Sequence, residues 1–228
     1  MDKKGKNKTL KEKINEILSS KNTDVLKELI ELEKKHPKDV SLKQVISRLY
    51  QTAGDNKNAR IFLESALKLE PENFATHYNL GLLYKSFKKD EECINHLIKS
   101  ITYKPDFLEG YNAIGSLFYE KRKFIEAKGY FQKSVEIDNT MKNMQAIIQL
   151  ALSSYQIFHY TKNLNELKNA INLYELANKL DNKNTMIADQ LIRLYNRAGL
   201  KEDAIILSRK INGASIYDYK TKKVFISN

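Results

Sequence analysis

The chain has 228 residues, of which 42% are hydrophobic, so it is long enough to bury a sizeable core. Its formal net charge is +11, it contains one cysteine, and its first residues, MDKKGKNKTLKEKINE, are charged from the start. This composition excludes an internal disulfide framework, an N-terminal signal sequence and a run of roughly 18–20 apolar membrane-spanning residues, and it favours an intracellular, most simply cytoplasmic, protein.

The sequence repeats itself. Three prolines, Pro37, Pro71 and Pro105, stand thirty-four residues apart. Because proline does not fit inside a helix, this interval marks a recurring boundary. Large and small residues keep the same interval in Tyr50, Tyr84 and Phe118 and in Ala59, Cys93 and Ala127. Stacked helical hairpins require this separation of sizes, so the period predicts an all-helical array.

The period divides the chain into a basic N-terminal tail (1–13), a degenerate capping repeat (14–39), three full repeats (40–73, 74–107 and 108–141), a longer repeat (142–184), a C-terminal repeat (185–213) and a C-terminal tail (214–228). In the longer repeat the small residue, Ala170, comes nine residues late. We expect a first helix that is longer by about two and a half turns, or ~13 Å. The sequence of the C-terminal tail is compatible with three structures: a short strand, a segment lying along the last hairpin, or the start of a further domain.

These repeats resemble the tetratricopeptide repeat family, whose pattern is W-x-x-L-G-x-x-Y, then A-x-x-x-F, then P. In residues 74–107 the pattern is carried by His77, Leu80, Gly81, Tyr84, Cys93, Leu97 and Pro105. The resemblance implies an all-α, right-handed superhelix (an α-solenoid) of about five to six hairpins. It also implies that the first helix of each hairpin lines a concave groove.

By the same resemblance, fixed positions on those first helices face a partner. The partner-binding residues it implies are Arg48, Tyr78, Lys85, Asn112, Tyr119, Arg193 and Arg197. Ala146, Leu150 and Ser154 occupy such positions in the longer repeat. This mixture of amide, aromatic and basic side chains suits an extended peptide, and the alternative is an ordinary polar surface. The resemblance thus implies a non-enzymatic scaffold that binds a protein or peptide, without a small-molecule substrate.

The chain offers little for catalysis, for cofactors or for metals. It has no glycine-rich phosphate loop and no H-E-x-x-H motif. Cys93 occupies a small-residue position, which indicates packing. His77 and His96 lie on successive predicted helices, but two histidines without a third ligand do not predict a metal site. We expect no catalytic residues, no cofactor and no metal.

The longer repeat suggests a second contact surface. If its first helix projects, Tyr155, Phe158 and Tyr160 form an exposed aromatic ridge, which favours association with a partner or with a second copy of the chain. Alternatively, Leu164 and Leu167 fold back and cover that ridge.

Two further functions stay open. The repeats are also compatible with the recognition arm of a larger enzyme, such as a transferase. The lysine-rich tails allow weak nucleic-acid binding, but elsewhere lysines alternate with acidic residues and arginine is scarce, which disfavours it.

Overall fold

The structure, a computed structural model, describes residues 8–20, 24–138, 143–211, 216–218 and 223–225. Within those ranges the chain forms twelve α-helices and two short β-strands. The helices are α1 (Leu10–Ser19), α2 (Val25–Lys35), α3 (Val40–Thr52), α4 (Asn56–Leu69), α5 (Phe74–Ser86), α6 (Asp90–Tyr103), α7 (Leu108–Glu120), α8 (Phe124–Ile137), α9 (Met144–Thr161), α10 (Leu164–Leu180), α11 (Thr185–Arg197) and α12 (Lys201–Ile211). The strands β1 (Ile216–Asp218) and β2 (Lys223–Phe225) pair antiparallel, with Ile216 opposite Phe225.

Consecutive helices pack against each other as hairpins, which confirms the predicted all-α array. The chain divides after Phe107 into an N-terminal unit, α1 to α6, and a C-terminal unit, α7 to β2. Helix α1 begins at Leu10, so the end of the predicted basic tail is helical. Residues 1–7 of that tail, and Lys220 and Lys222 of the C-terminal tail, lie outside the described residues.

Short polar side chains fix where the helices begin. The side chains of Asp39, Asp55, Asn73, Asn143, Asn163 and Asn184 each accept a hydrogen bond from a backbone N–H in the first turn of the following helix. Such caps satisfy donors that the helix itself leaves unpaired and are worth about 1 kcal/mol each. The starts of these six helices are therefore encoded locally, by an Asp or Asn before each of them.

Small residues let the two helices of a hairpin approach closely. Ala59, Cys93 and Ala127 are fully buried, which agrees with the packing role predicted for Cys93. Gly115 faces the ring of Phe131, and a Cβ added at Gly115 would lie 2.8 Å from the nearest ring carbon. The two helices of this hairpin, α7 and α8, are thus held at a spacing that only glycine, which has no side chain, allows at position 115.

The extra residues of the longer repeat are shared between its two helices. Helix α9 has 18 residues and α10 has 17, whereas α7 has 13 and α8 has 14. The prediction that the first helix takes all of the extra length was therefore wrong. Apolar residues near the start of α10, such as Leu167 and Ile171, are buried in the same core as α9, so lengthening both helices buries more apolar surface. No helix in the described part of the chain is both long and apolar enough to cross a membrane.

Five turns between paired helices share one backbone feature. Gly54, Lys88 and Arg122, at thirty-four-residue intervals, Lys162 between α9 and α10, and Gly199 in the last hairpin all have positive φ angles between 58° and 79°. Glycine adopts this left-handed conformation freely, whereas any other residue there costs about 1 kcal/mol. The second and third full repeats and the longer repeat therefore carry a basic side chain at a strained turn position.

A pair of histidines is enclosed in the N-terminal unit. His77 is 3% exposed, and its Nδ1 lies 2.9 Å from Nδ1 of His96. Nε2–H of His77 donates to the carbonyl of Pro71 at 2.9 Å, so Nδ1 of His77 accepts from His96. Burial, with the charges of His77 and Lys99 nearby, lowers the pKa of His96 to about 4. Among the described residues, no group of three or more His, Cys, Asp or Glu side chains is arranged to hold a metal.

This histidine pair predicts a pH-dependent stability. Because the folded pKa of His96 lies below its ordinary value of 6.5, the unfolded chain binds a proton first as the pH falls. Lowering the pH from 7 to 4 is expected to remove about 2 kcal/mol of folding free energy through this group, after allowance for its partial exposure. Urea unfolding at both pH values measures this loss. In His96→Asn, which keeps a donor near Nδ1 but does not titrate, the loss is expected to shrink.

The matched control for the pH experiment is His159→Asn, because His159 is exposed at the end of α9. The free energy of unfolding of His159→Asn is expected to change with pH as that of the wild type does. If the free energy of unfolding fell by the same amount between pH 7 and pH 4 in the wild type and in His96→Asn, the role given to the buried histidine pair would be wrong.

The glycines of the C-terminal unit allow a second stability test. Gly115→Ala is expected to destabilise the protein by about 1–3 kcal/mol, because the new methyl group must displace the buried ring of Phe131. Gly129→Ala, within exposed α8 surface where nothing lies within 4 Å of the new Cβ, is expected to stabilise by up to about 1 kcal/mol. Chemical unfolding of both variants checks the sign. If both variants changed the free energy of unfolding by the same amount, helix propensity alone would explain the changes, and the contact with Phe131 would contribute nothing.

Candidate functional site

In the N-terminal unit, the predicted groove residues lie on α3 and α5, which contact each other. Arg48 is exposed on α3, while Tyr78 and Lys85 are half-buried on α5. With Leu82, which is 37% exposed, Tyr78 and Lys85 follow an i, i+4, i+7 spacing that puts all three on one face of α5. We call this row, Tyr78, Leu82 and Lys85, the α5 stripe. Tyr78 and Lys85 also take part in interactions within the protein.

An aromatic cluster supports the start of the α5 stripe. The ring of Phe107 meets the ring of Tyr78 edge-on at 5.0 Å and that of Phe74 at 5.0 Å. The Lys104 ammonium lies 4.7 Å from the centre of the Phe74 ring, a cation–π distance. Tyr78 is therefore held by its neighbours at one edge, which limits its rotamers before any partner arrives.

Gln44 of α3 is used inside the protein. Its Nε2 donates to Oδ1 of Asn73 at 2.9 Å and to Oγ1 of Thr76 at 2.7 Å. Asn73 caps the N-terminus of α5. One side-chain amide thus ties α3 to the first turn of α5 and fixes the relative position of the two helices that carry Arg48 and Tyr78.

In the C-terminal unit, α7 presents the equivalent row. Asn112, Ser116 and Tyr119 have the same spacing and are all half-buried, and we call them the α7 stripe. Oδ1 of Asn112 is buried, and no donor among the described residues hydrogen-bonds to it. A buried carbonyl without a donor is costly, so this atom is the least satisfied point of the stripe.

Tyr119 is less available than the sequence suggests. Its ring meets Phe124 edge-on at 5.1 Å, and Phe124 stacks on Tyr160 at 5.8 Å. Burial, with a smaller contribution from nearby Tyr119, raises the pKa of Tyr174 to about 12. Tyr119 therefore joins the aromatic packing between α7, α8 and α9 and contributes only part of its surface to the α7 stripe.

The remaining predicted groove residues lie elsewhere. Arg193 and Arg197 are exposed on α11, which packs against α10 and α12, so they are not brought together with Asn112 and Tyr119. Ala146, Leu150 and Ser154 of the longer repeat are buried, which corrects their predicted groove role. Helix α9 is apolar around most of its circumference and is enclosed by α7, α8 and α10.

The predicted aromatic ridge does not form. Phe158 is 7% exposed and belongs to the same core cluster as Leu167, Tyr155 is half-buried, and only Tyr160 stays largely exposed, at 59%. The alternative in which α10 folds back over α9 is confirmed for Leu167 but not for Leu164, which is 72% exposed. A two-residue connection after Thr161 forces this return, because α10 starts immediately beside the end of α9.

A surface that the sequence did not predict lies beside Tyr160. It is a cleft of about 490 Å³, which we call the overhang cleft, between the start of α8 and the end of α9. Its lining residues are Arg122, Lys123, Phe124, Ile125, Glu126, Ile157, Tyr160 and Thr161. The nine extra residues were the signal for it, since residues 157–161 are the part of α9 that exceeds the length of α7.

Comparisons with known proteins agree with this architecture. The family model for the tetratricopeptide repeat matches residues 40–73, 74–107 and 108–141. Over 71 residues the chain is 34% identical to a UDP-N-acetylglucosamine–peptide N-acetylglucosaminyltransferase of Giardia intestinalis. That match covers 31% of this chain and 5% of the transferase, so the chain spans a small part of that relative.

Several solved structures are similar to the chain. MamA from Desulfovibrio magneticus is 15% identical, with 76% of this chain and 93% of that chain covered and a TM-score of 0.62. YrrB, described as a TPR protein with an unusual peptide-binding site, is 14% identical, with 78% and 88% covered and a TM-score of 0.61. Yeast Tom70 is 17% identical, with 87% and 42% covered and a TM-score of 0.63. At these identities the likeness concerns the fold alone. The family model shows that residues 40–141 of this chain are three consecutive tetratricopeptide repeats.

Proposed function

We propose that this chain is a non-enzymatic adaptor that binds a peptide or protein segment along the first helices of its hairpins. The observation that carries the proposal is the buried, unsatisfied Oδ1 of Asn112 on the α7 stripe. Asn112 as a residue is only half-buried, so a rotation of its side chain would bring this carbonyl to the surface, where a backbone N–H of a bound peptide would satisfy it. YrrB, a similar fold, has a peptide-binding site.

The α5 stripe supplies contact area for the same purpose. Tyr78 is half-buried against Phe107, and Leu82 beside it is exposed. A tyrosine with few rotatable bonds loses little conformational freedom when a partner covers it. Peptide side chains would pack on Tyr78 and Leu82, while Lys85 lies at the far end of the row, about two helical turns away.

The exposed arginines add charge selectivity. Arg48 in the N-terminal unit and Arg193 and Arg197 in the C-terminal unit are all exposed. Exposed cations of this kind raise association rates with acidic segments more than they raise affinity. We therefore assign these three side chains to steering of the partner, and assign binding energy to Tyr78 and Asn112.

The proposal includes no bond-making step. The side chains best suited to chemistry are engaged in packing: Cys93 is fully buried, and His77 and His96 hydrogen-bond to each other. The two stripes combine an amide, three hydroxyls, aromatic and aliphatic surface and one lysine. This set of side chains suits recognition and does not form a nucleophile paired with a base.

Peptides selected from a random display library on the wild-type protein test this proposal. Tyr78→Ala is expected to weaken peptides that bind the α5 stripe, and Asn112→Ala those that bind the α7 stripe, each by roughly tenfold, the effect of losing one aromatic contact or one hydrogen bond. Fluorescence anisotropy measures the affinities, and hydrogen exchange locates the protected helices. Protection is expected on α5 and α7.

The matched control is Asn95→Ala, at an exposed asparagine on the second helix of a hairpin, α6. It is expected to leave peptide affinity unchanged. If Asn112→Ala and Tyr78→Ala bind every selected peptide as tightly as the wild type does, the groove is not the binding site.

A second candidate function is the recognition arm of a larger transferase. It is favoured by the 34% identity over 71 residues to the Giardia transferase. The mass of the native gene product in the source cell separates the two functions. A product that carries a transferase segment in addition to these 228 residues would favour the recognition arm.

A further inference from the structure

The overhang cleft has an apolar floor that the groove function does not use. Ile125 is 71% exposed and Tyr160 is 59% exposed, and both line the cleft beside Phe124. Three of its lining residues, Ile157, Tyr160 and Thr161, come from the extra length of α9. Exposed apolar surface of this size, rimmed by charge, is typical of an interaction site.

The charges at the rim of the cleft are mainly basic. Arg122 and Lys123 line it together with one carboxylate, Glu126. The nearby carboxylate of Glu166 is neutralised by Lys128, whose ammonium lies 2.7 Å from it. Arg122 also occupies a left-handed turn position where two of the other hairpins have glycine. The rim thus favours an acidic partner.

The net charge of the chain indicates whether that partner is a second copy of this chain or a different, acidic molecule. A second copy of this protein would bring another formal charge of +11 toward a basic rim, which opposes self-association. The cleft of about 490 Å³ has room for a large apolar side chain and its neighbours. An acidic peptide segment with an apolar anchor fits both the floor and the rim.

We propose that the overhang cleft is a second binding site, distinct from the two stripes, for an acidic peptide segment of a partner protein. The segment inserts one large aliphatic or aromatic side chain between Ile125 and Tyr160. Carboxylates on either side of this anchor pair with Arg122 and Lys123. This site does not depend on the groove function proposed above, because the α7 stripe and the cleft are tested by different variants.

The test uses the full chain and a peptide display library in which Asp and Glu flank a randomised centre. Selection on the wild type is expected to enrich Leu, Ile, Phe or Trp at the centre. Ile125→Asp is expected to weaken the enriched peptides by roughly tenfold or more, because it removes the apolar floor and repels their carboxylates. Arg122→Glu is expected to weaken them by at least about threefold and to reduce the salt dependence of binding.

Two matched controls separate the cleft from general surface effects. Ile61→Asp changes an isoleucine that is 49% exposed on α4, and Lys88→Glu changes the equivalent left-handed turn residue of another hairpin. Both controls, and the groove variant Asn112→Ala, are expected to keep wild-type affinity for the cleft peptides. Circular dichroism establishes that each variant is folded.

Three outcomes would overturn the proposal. The first is equal peptide affinity for the wild type and Ile125→Asp. The second is enrichment of peptides whose binding is lost in Asn112→Ala and kept in Ile125→Asp, which would assign them to the groove. The third is sedimentation as a dimer that Ile125→Asp dissociates, which would assign the cleft to a second copy of this chain.

Discussion

The close approach of the two helices within each hairpin is the constraint on which the rest of the structure depends. Ala59, Cys93 and Ala127 bring the helices together, and Gly115 lets the ring of Phe131 rest almost on the backbone. At this spacing one face of α5 packs against α6 and one face of α7 packs against α8, which leaves other faces of both helices for the stripes. The stripes on α5 and α7 are therefore consequences of core packing, and side chains on those faces can vary without loss of the fold.

Repetition explains how much the sequence predicts. Large, small and turn residues each recur at an interval of thirty-four residues, so every repeat supports the assignment of the others. The structure has the expected hairpins. Capping residues act locally, and for that reason caps such as Asp55 and Asn73 can be recognised without knowledge of tertiary contacts. The resemblance to the tetratricopeptide repeat indicates which helix face carries the stripes, and the interval then identifies the residues on it, because a helix face is fixed once its register is known.

The site is less predictable where it depends on distances between elements. The sequence shows nine extra residues, but not how they divide between α9 and α10, since both helices carry apolar side chains that fit one core. That division buries Phe158 and leaves Tyr160 exposed, which removes the predicted ridge and creates the overhang cleft. The unsatisfied carbonyl of Asn112 is equally invisible in the sequence, because it reflects the absence of a nearby donor in the described residues.

Helix α9 sets the C-terminal unit apart from an ordinary run of interchangeable modules. A typical repeat covers only its neighbours, so natural selection can duplicate or delete it with modest consequences. Helix α9, however, buries eight of its 18 residues among α7, α8 and α10, whereas α5 buries five residues and α7 buries four. Its removal would uncover apolar surface on three helices together. Gain or loss of repeats during the evolution of this chain is therefore most easily accommodated among the hairpins that precede α7.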